Sequence, residues 1–256
     1  MNQQDHTKPD HPIAVRNAPG DSAIVVVCEH ASAHIPTRFA DLGLAPEVRQ
    51  SHAVWDPGAL AVAEGLAERL GATLVAATVS RLVYDCNRPP DAPDAMPARS
   101  EVIRVPGNEG LSDAERAERA HRYYTPFRET LREVVAGKSA PILVTMHSFT
   151  PIYHGQTRAV EIGILHDADT RLADALLEAA EGTTALQVAR NEPYGPEHGV
   201  THTLRDQALP QGHPNVMIEI RNDLLTTPED QDKIAELLAG WLRVACARIG
   251  ESPCTA

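Results

Sequence analysis

The chain has 256 residues, 43% hydrophobic and 23% charged, with a formal net charge of −12. The length suffices for a large core, and the balance excludes a disordered chain. The acidity, with no Lys/Arg cluster, argues against a nucleic-acid partner, and no run approaches the ~20 apolar residues of a membrane helix.

Residues 1–20 are polar, with Pro, Asp, Asn and Gly, and are expected to form a flexible N-terminal arm ahead of a single catalytic α/β domain over 21–256. The arm has no apolar core, so it does not read as a signal peptide. The four cysteines lack Cys-x-x-Cys spacing, and Cys28 and Cys86, in apolar strand-like runs, read as buried thiols; a reducing compartment fits, so a cytoplasmic protein is expected.

The run Ile24-Val25-Val26-Val27-Cys28-Glu29-His30 reads as a buried strand closing on a histidine. Thr37 to Gln50 reads as a loop with one short helix. Pro57 to Leu70 has helical apolar spacing, with Gly71 as a stop signal. Thr73–Val79 and Leu82–Cys86 read as strands, and the proline-rich Asn87 to Pro97 as an irregular wall or lid. Leu111–Ala136 is the strongest helix. Ser112 and Glu115 form a capping-box pattern there, and Pro126 should kink or divide it. Ile142–Ser148 closes on His147. Val160–Leu165 is a strand, Asp169–Ala180 a helix, and Leu186–Arg190 a short strand. Val216–Arg221 is a strand carrying Glu219, and Pro228–Ala247 is a helix capped by Thr227. This alternation predicts an α/β fold, with a mostly parallel or mixed central sheet flanked by helices.

In such sheets, ligands bind outside the carboxyl ends of the strands. His30 and His147 arrive at that edge, and a carboxylate nearby would complete a catalytic metal site. Glu219 suits the role of proton shuttle. For the third ligand, Asp56 ranks ahead of Glu29, because neighbouring strand residues point to opposite faces; Asp56 alternatively caps the following helix. Asn87 and Arg88 suit a carboxylate grip, and Arg81 a carbonyl oxygen. The competing reading pairs these arginines with Asp85, Asp91 or Asp94. The segment Gly195–Leu204 reads as a mobile loop closing over substrate, with Thr201 a candidate contact and His198 and His202 not ligands. Arg221 is a further substrate-binding candidate.

The ordered segments Cys28-Glu29-His30-Ala31-Ser32, Trp55-Asp56, Ser80-Arg81-Leu82-Val83-Tyr84-Asp85-Cys86-Asn87-Arg88-Pro89, His147-Ser148 and Glu219-Ile220-Arg221 resemble the N-formylglutamate amidohydrolase family. The resemblance implies a fold like that of the zinc carboxypeptidases and aspartoacylases. It also implies a cytoplasmic enzyme of histidine degradation that releases formate from a small N-acyl amino acid. By the same resemblance, one Zn2+ per chain sits on His30, His147 and Asp56. Asn87 and Arg88 hold the substrate α-carboxylate, Arg81 assists the oxyanion, and Glu219 is base and acid. Other readings are a zinc carboxypeptidase or amidase acting on a peptide or cell-wall fragment, or a non-catalytic carboxylate-binding homologue. A monomer or small homo-oligomer is expected.

Overall fold

The computed structural model describes residues 12–18 and 20–251. Its centre is a seven-stranded sheet in the order β1-β3-β2-β6-β11-β9-β10. The strands are β1 (Ile13–Arg16), β2 (Ile24–Cys28), β3 (Thr73–Ala77), β6 (Ile142–Phe149), β9 (Ile162–Leu165), β10 (Val188–Arg190) and β11 (Asn215–Arg221). Two small hairpins, β4 (Arg99–Ser100) with β5 (Ile103–Arg104) and β7 (Ile152–Tyr153) with β8 (Gln156–Thr157), stand apart. The strands β3, β2, β6 and β11 run parallel, β1 pairs antiparallel at one edge, and β9 and β10 run opposite to β11 at the other. The expected mixed, mostly parallel α/β sheet is therefore present.

The central strands are apolar throughout because both their faces are covered. On one face, Ile24, Val26, Ile142, Val144, Val216 and Ile218 pack beneath α1 (Ala59–Leu70), α4 (Arg171–Ala180) and α6 (Pro228–Arg248). On the other, Val25, Val27, Leu143 and Met217 pack beneath α3 (Thr125–Ala136) and α5 (His202–Gln207). By alternation His147 and Glu219 belong to this second face. Gly71 takes the left-handed conformation that ends α1, as its sequence signal predicted.

Three expectations need correction, and one is refined. Part of the expected arm is ordered: Ile13–Arg16 is a strand, paired from Ile13↔Ala77 to Arg16↔Leu74, with Ile13 buried. The rest of that arm, residues 1–11 and Pro19, lies outside the described residues. Leu82–Cys86 is not a strand. The Ser80 hydroxyl accepts from Leu82 N, and the Ser80 carbonyl accepts from Val83 N, so the chain turns there. The 37–50 segment holds two short 3-10 stretches, Thr37–Gly43 and Pro46–Val48. The helix over 111–136 is divided into α2 (Asp113–Arg119), a π-helical turn (Ala120–Tyr124) and α3. Pro126 has no N–H to offer the preceding turn, and the wider turn accommodates that loss. The Ser112–Glu115 capping box is formed as predicted. No helix among the described residues is long and apolar enough to cross a membrane.

Candidate metal centre

The carboxyl ends of β2, β6 and β11 and the turn after β3 converge on one cavity of about 200 Å³. Its wall includes His30, Asp56, Arg81, Asn87, Arg88, His147 and Glu219. His30 follows β2 by two residues, His147 sits near the end of β6, and Glu219 is the register partner of His147 on β11. Asp56 reaches the same point because its backbone N–H donates to the His30 carbonyl at 3.0 Å. Its side chain does not cap α1, whose N-cap is Gly58.

Three donor atoms meet there. His30 Nδ1 lies 3.2 Å from Asp56 Oδ2, and His147 Nδ1 lies 3.0 Å from the same oxygen. The two Nδ1 atoms are 3.2 Å apart. All three residues are buried. Donors about 2.1 Å from a tetrahedral zinc ion stand about 3.4 Å from one another, so the observed triangle fits one ion after a small expansion. Two imidazole nitrogens facing each other beside one carboxylate oxygen are better satisfied by a shared cation than by a single proton. His30, Asp56 and His147 together can hold a metal ion.

The far nitrogens of both imidazoles are also occupied by carboxylates. His30 Nε2 lies 2.7 Å from Asp85 Oδ1, and His147 Nε2 lies 3.1 Å from Glu29 Oε2. The Asp85 hydrogen bond fixes the His30 tautomer and leaves its other nitrogen for a metal, while Glu29 faces His147 as an ion-pair partner. Glu29 is therefore on the outer side of His147 rather than in the donor triangle. The strand ends at Cys28 and the chain turns, so strand alternation no longer separates Glu29 from His30. Asp85 was legible only as a partner for the arginines. Its bond to His30 depends on how the 80–88 turn folds.

Burial works against every charge here, yet the partners prevail. His30, His147 and Arg81 hold the Asp56 carboxyl well below the usual carboxylate range. His30 and Arg81 do the same for Asp85. Glu29 and Asp56 hold the His147 imidazole well above its ordinary value. Glu219 behaves oppositely. Burial pushes its pKa up to about 7, and the nearby cations only partly oppose this. Its Oε2 is buried without a hydrogen-bond partner among the described residues.

The arginines are held by the chain itself. Arg81 donates to Asp56 Oδ1 at 3.3 Å and to Asp85 Oδ2 at 3.0 Å, which aims it at the cavity floor. Arg88 donates to Asp94 and to the carbonyls of Asn87 and Gly199. Asn87 donates to the Val200 carbonyl and accepts from Thr203, so it pins the 195–203 segment. That segment is not a free loop: it contains a 3-10 turn (Pro196–His198) and leads into α5. Thr201 and Arg221 do not line the cavity. Thr201 donates to Asp167, and Arg221 is taken up by Asp223, Glu161 and the Arg158 carbonyl. Asp223 is a sequence neighbour of Arg221, but Asp167, Glu161 and Arg158 are distant in the chain and gave no sign there.

A cavity at the carboxyl edge of a mostly parallel sheet, floored by two histidines and an aspartate, has the build of a metal-assisted hydrolase site. The chain belongs to the N-formylglutamate amidohydrolase family, whose model matches residues 22–226. Members are amidohydrolases acting on an amide bond, so the chain is an enzyme of that class. The crystal structure of gene product Atu2144 from Agrobacterium tumefaciens is 53% identical, covers 95% of this chain and 98% of its own, and superposes with a TM-score of 0.93. The N-formylglutamate amidohydrolase from Ralstonia eutropha JMP134 is 24% identical over 94% of this chain and 99% of its own, with a TM-score of 0.66, a likeness of fold. No curated protein matches the chain.

Proposed function

We propose that this enzyme is a zinc-dependent amidohydrolase that cleaves the amide of an N-formyl amino acid such as N-formylglutamate, releasing formate. The observation that carries this reading is the convergence of His30 Nδ1, Asp56 Oδ2 and His147 Nδ1 beside a buried Glu219 whose Oε2 has no hydrogen-bond partner among the described residues. A zinc ion on these three residues supplies Lewis acidity toward water and an amide carbonyl. Glu219, with its pKa near 7, accepts a proton from the attacking water and returns it to the departing nitrogen. The new carbon–oxygen bond forms as the carbon–nitrogen bond breaks, giving formate and the free amine. Arg81, oriented by Asp56 and Asp85, offsets charge developing on the carbonyl oxygen. Asn87 and Arg88 line the cavity and bind the α-carboxylate. The three cysteines among the described residues are free and buried, which supports a cytoplasmic location.

The test is metal content of protein purified without added metal, paired with formate release from N-formyl-L-glutamate. We expect near one zinc per chain and turnover. Glu219→Gln should lose roughly 100-fold or more in kcat while retaining zinc, and His147→Ala should lose the metal. Near-normal turnover in Glu219→Gln would remove that residue from the chemistry.

A further inference from the structure

Tyr194 lines the same cavity as Glu219 and Arg81. A glycine lets the chain bring it there. Gly163 on β9 is the register partner of Glu219 on β11, and a Cβ at Gly163 would meet the Glu192 carbonyl. The backbone at Glu192 therefore lies against the sheet beside Glu219, and Tyr194 follows two residues later. Its hydroxyl is held from behind the wall by Arg158, which does not itself line the cavity. The Arg158 guanidinium carbon lies 4.5 Å from the Tyr153 ring centre, 4.8 Å from Tyr194 and 5.4 Å from Phe149. Ring faces attract a cation, so the three rings hold it in place. Its Nη1 donates to the Thr150 carbonyl at 3.3 Å, and its Nη2 donates to the Tyr194 hydroxyl at 2.8 Å.

A phenolic oxygen that accepts from a guanidinium keeps one proton of its own to donate. That proton has no acceptor among the described residues. Glu219 Oε2 also has no partner among them, so no hydrogen bond spends the two groups on each other. Burial raises the Tyr194 pKa, Glu219 adds to the rise, and Arg158 and Arg81 oppose it. The cavity charges that Tyr194 senses, Glu219 and Arg81, thus belong to the reacting end rather than to the Asn87–Arg88 grip. Arg81 is less free to donate there. Its Nη1 is engaged by Asp56 and its Nη2 by Asp85, so its charge acts while its terminal nitrogens are held elsewhere. The Tyr194 proton has no such competitor.

We propose that Tyr194 is a further catalytic residue, whose hydroxyl donates a hydrogen bond to the amide carbonyl oxygen as that oxygen gains negative charge, and that Arg158 is the positioning residue that aims it. This rests on the amidohydrolase reading above. The phenol keeps its proton throughout, and Glu219 remains the group that accepts and returns one. By donating to the phenolic oxygen, Arg158 polarises the O–H bond and makes Tyr194 a stronger donor. Such a bond is stronger to the charged oxygen of the transition state than to the neutral carbonyl of the substrate. Its loss therefore falls on kcat more than on KM.

The test measures kcat, KM and metal content, with N-formyl-L-glutamate as substrate, in wild type, Tyr194→Phe, Arg158→Met, Arg158→Lys and the double variant Tyr194→Phe with Arg158→Met. Phenylalanine keeps the ring on which Arg158 packs and removes only the hydroxyl. Methionine keeps the stem of Arg158, and lysine keeps its charge. Tyr194→Phe should lose roughly 100-fold in kcat, with KM within about threefold of wild type. Its metal content should equal that of wild type, which separates a lost donor from a lost centre. Arg158→Met should lose roughly 10-fold in kcat, and Arg158→Lys should recover part of that. The double variant should be no slower than Tyr194→Phe, because both residues act through one hydroxyl. A kcat in Tyr194→Phe within about threefold of wild type, or a loss carried by KM alone, would overturn the assignment and leave the amidohydrolase reading standing. Equal losses from Arg158→Met with and without the Tyr194 hydroxyl would overturn the positioning role. If wild type itself turns over no N-acyl amino acid, the amidohydrolase reading fails and the catalytic assignment falls with it.

Discussion

Glu219 has a stability cost as well as a proposed use. Its carboxyl titrates near 4.5 in an unfolded chain and near 7 in the fold, because burial disfavours the charged form. A raised folded pKa means that its stability is full below about pH 4.5 and is lost as pH rises through about 7. Glutamine cannot ionise. Metal-free Glu219→Gln should therefore be more stable than metal-free wild type at pH 8, by on the order of 3 kcal/mol, and the gap should close toward pH 4.5. Urea unfolding at several pH values checks this, and a gap independent of pH would exclude the assigned cause. At this scale His30, His147 and Glu219 were legible because each lies in or just after an apolar strand. Asp85 was not, since its significance comes from a partner 55 residues away.

At the scale of elements, β9 depends on one glycine. Gly163 is the register partner of Glu219, and a Cβ there would collide with the backbone carbonyl of Glu192. The missing side chain lets the segment leading to Tyr194 lie against the sheet. Gly163→Ala should push that segment outward, cost about 1–3 kcal/mol in urea unfolding, and lower kcat more than it raises KM. Unchanged stability would mean that the segment gives way freely. Strand and helix identities were largely legible from apolar runs and caps. Leu82–Cys86 was not, because a short buried run, here broken by Asp85, is equally compatible with a buried turn, and the Ser80 hydroxyl decides between them. The division of the 111–136 helix was legible from Pro126, but its π-helical form was not.

For the whole molecule, the sheet has one antiparallel strand at its β1 edge, and that strand comes from the segment with the least apolar sequence. Strand β1 covers the edge of β3, buries Ile13, and ties Arg16 to Glu64 on α1. Removing residues through Arg16 should expose that edge and lower the melting temperature by roughly 5–10 °C, with faster aggregation on heating. Loss of residues 1–11 alone is the control. An unchanged melting temperature after the longer truncation would show that β1 adds no stability. The short length of β1 and its polar surroundings hid it in the sequence, because its order comes from pairing with β3.

The register that sets Glu219 beside His147 has a kinetic consequence. His30 and His147 are 117 residues apart in the chain, and Asp56 and His147 are 91 apart. Closing such long loops is slow. The donor triangle needs β2, β6 and the start of α1 to be in place, and the Glu219 carboxyl needs β11 beside β6 in the correct register. A metal ion held by this triangle would therefore be captured late in refolding: it could not nucleate the fold, and its uptake would mark the moment when the central sheet has closed.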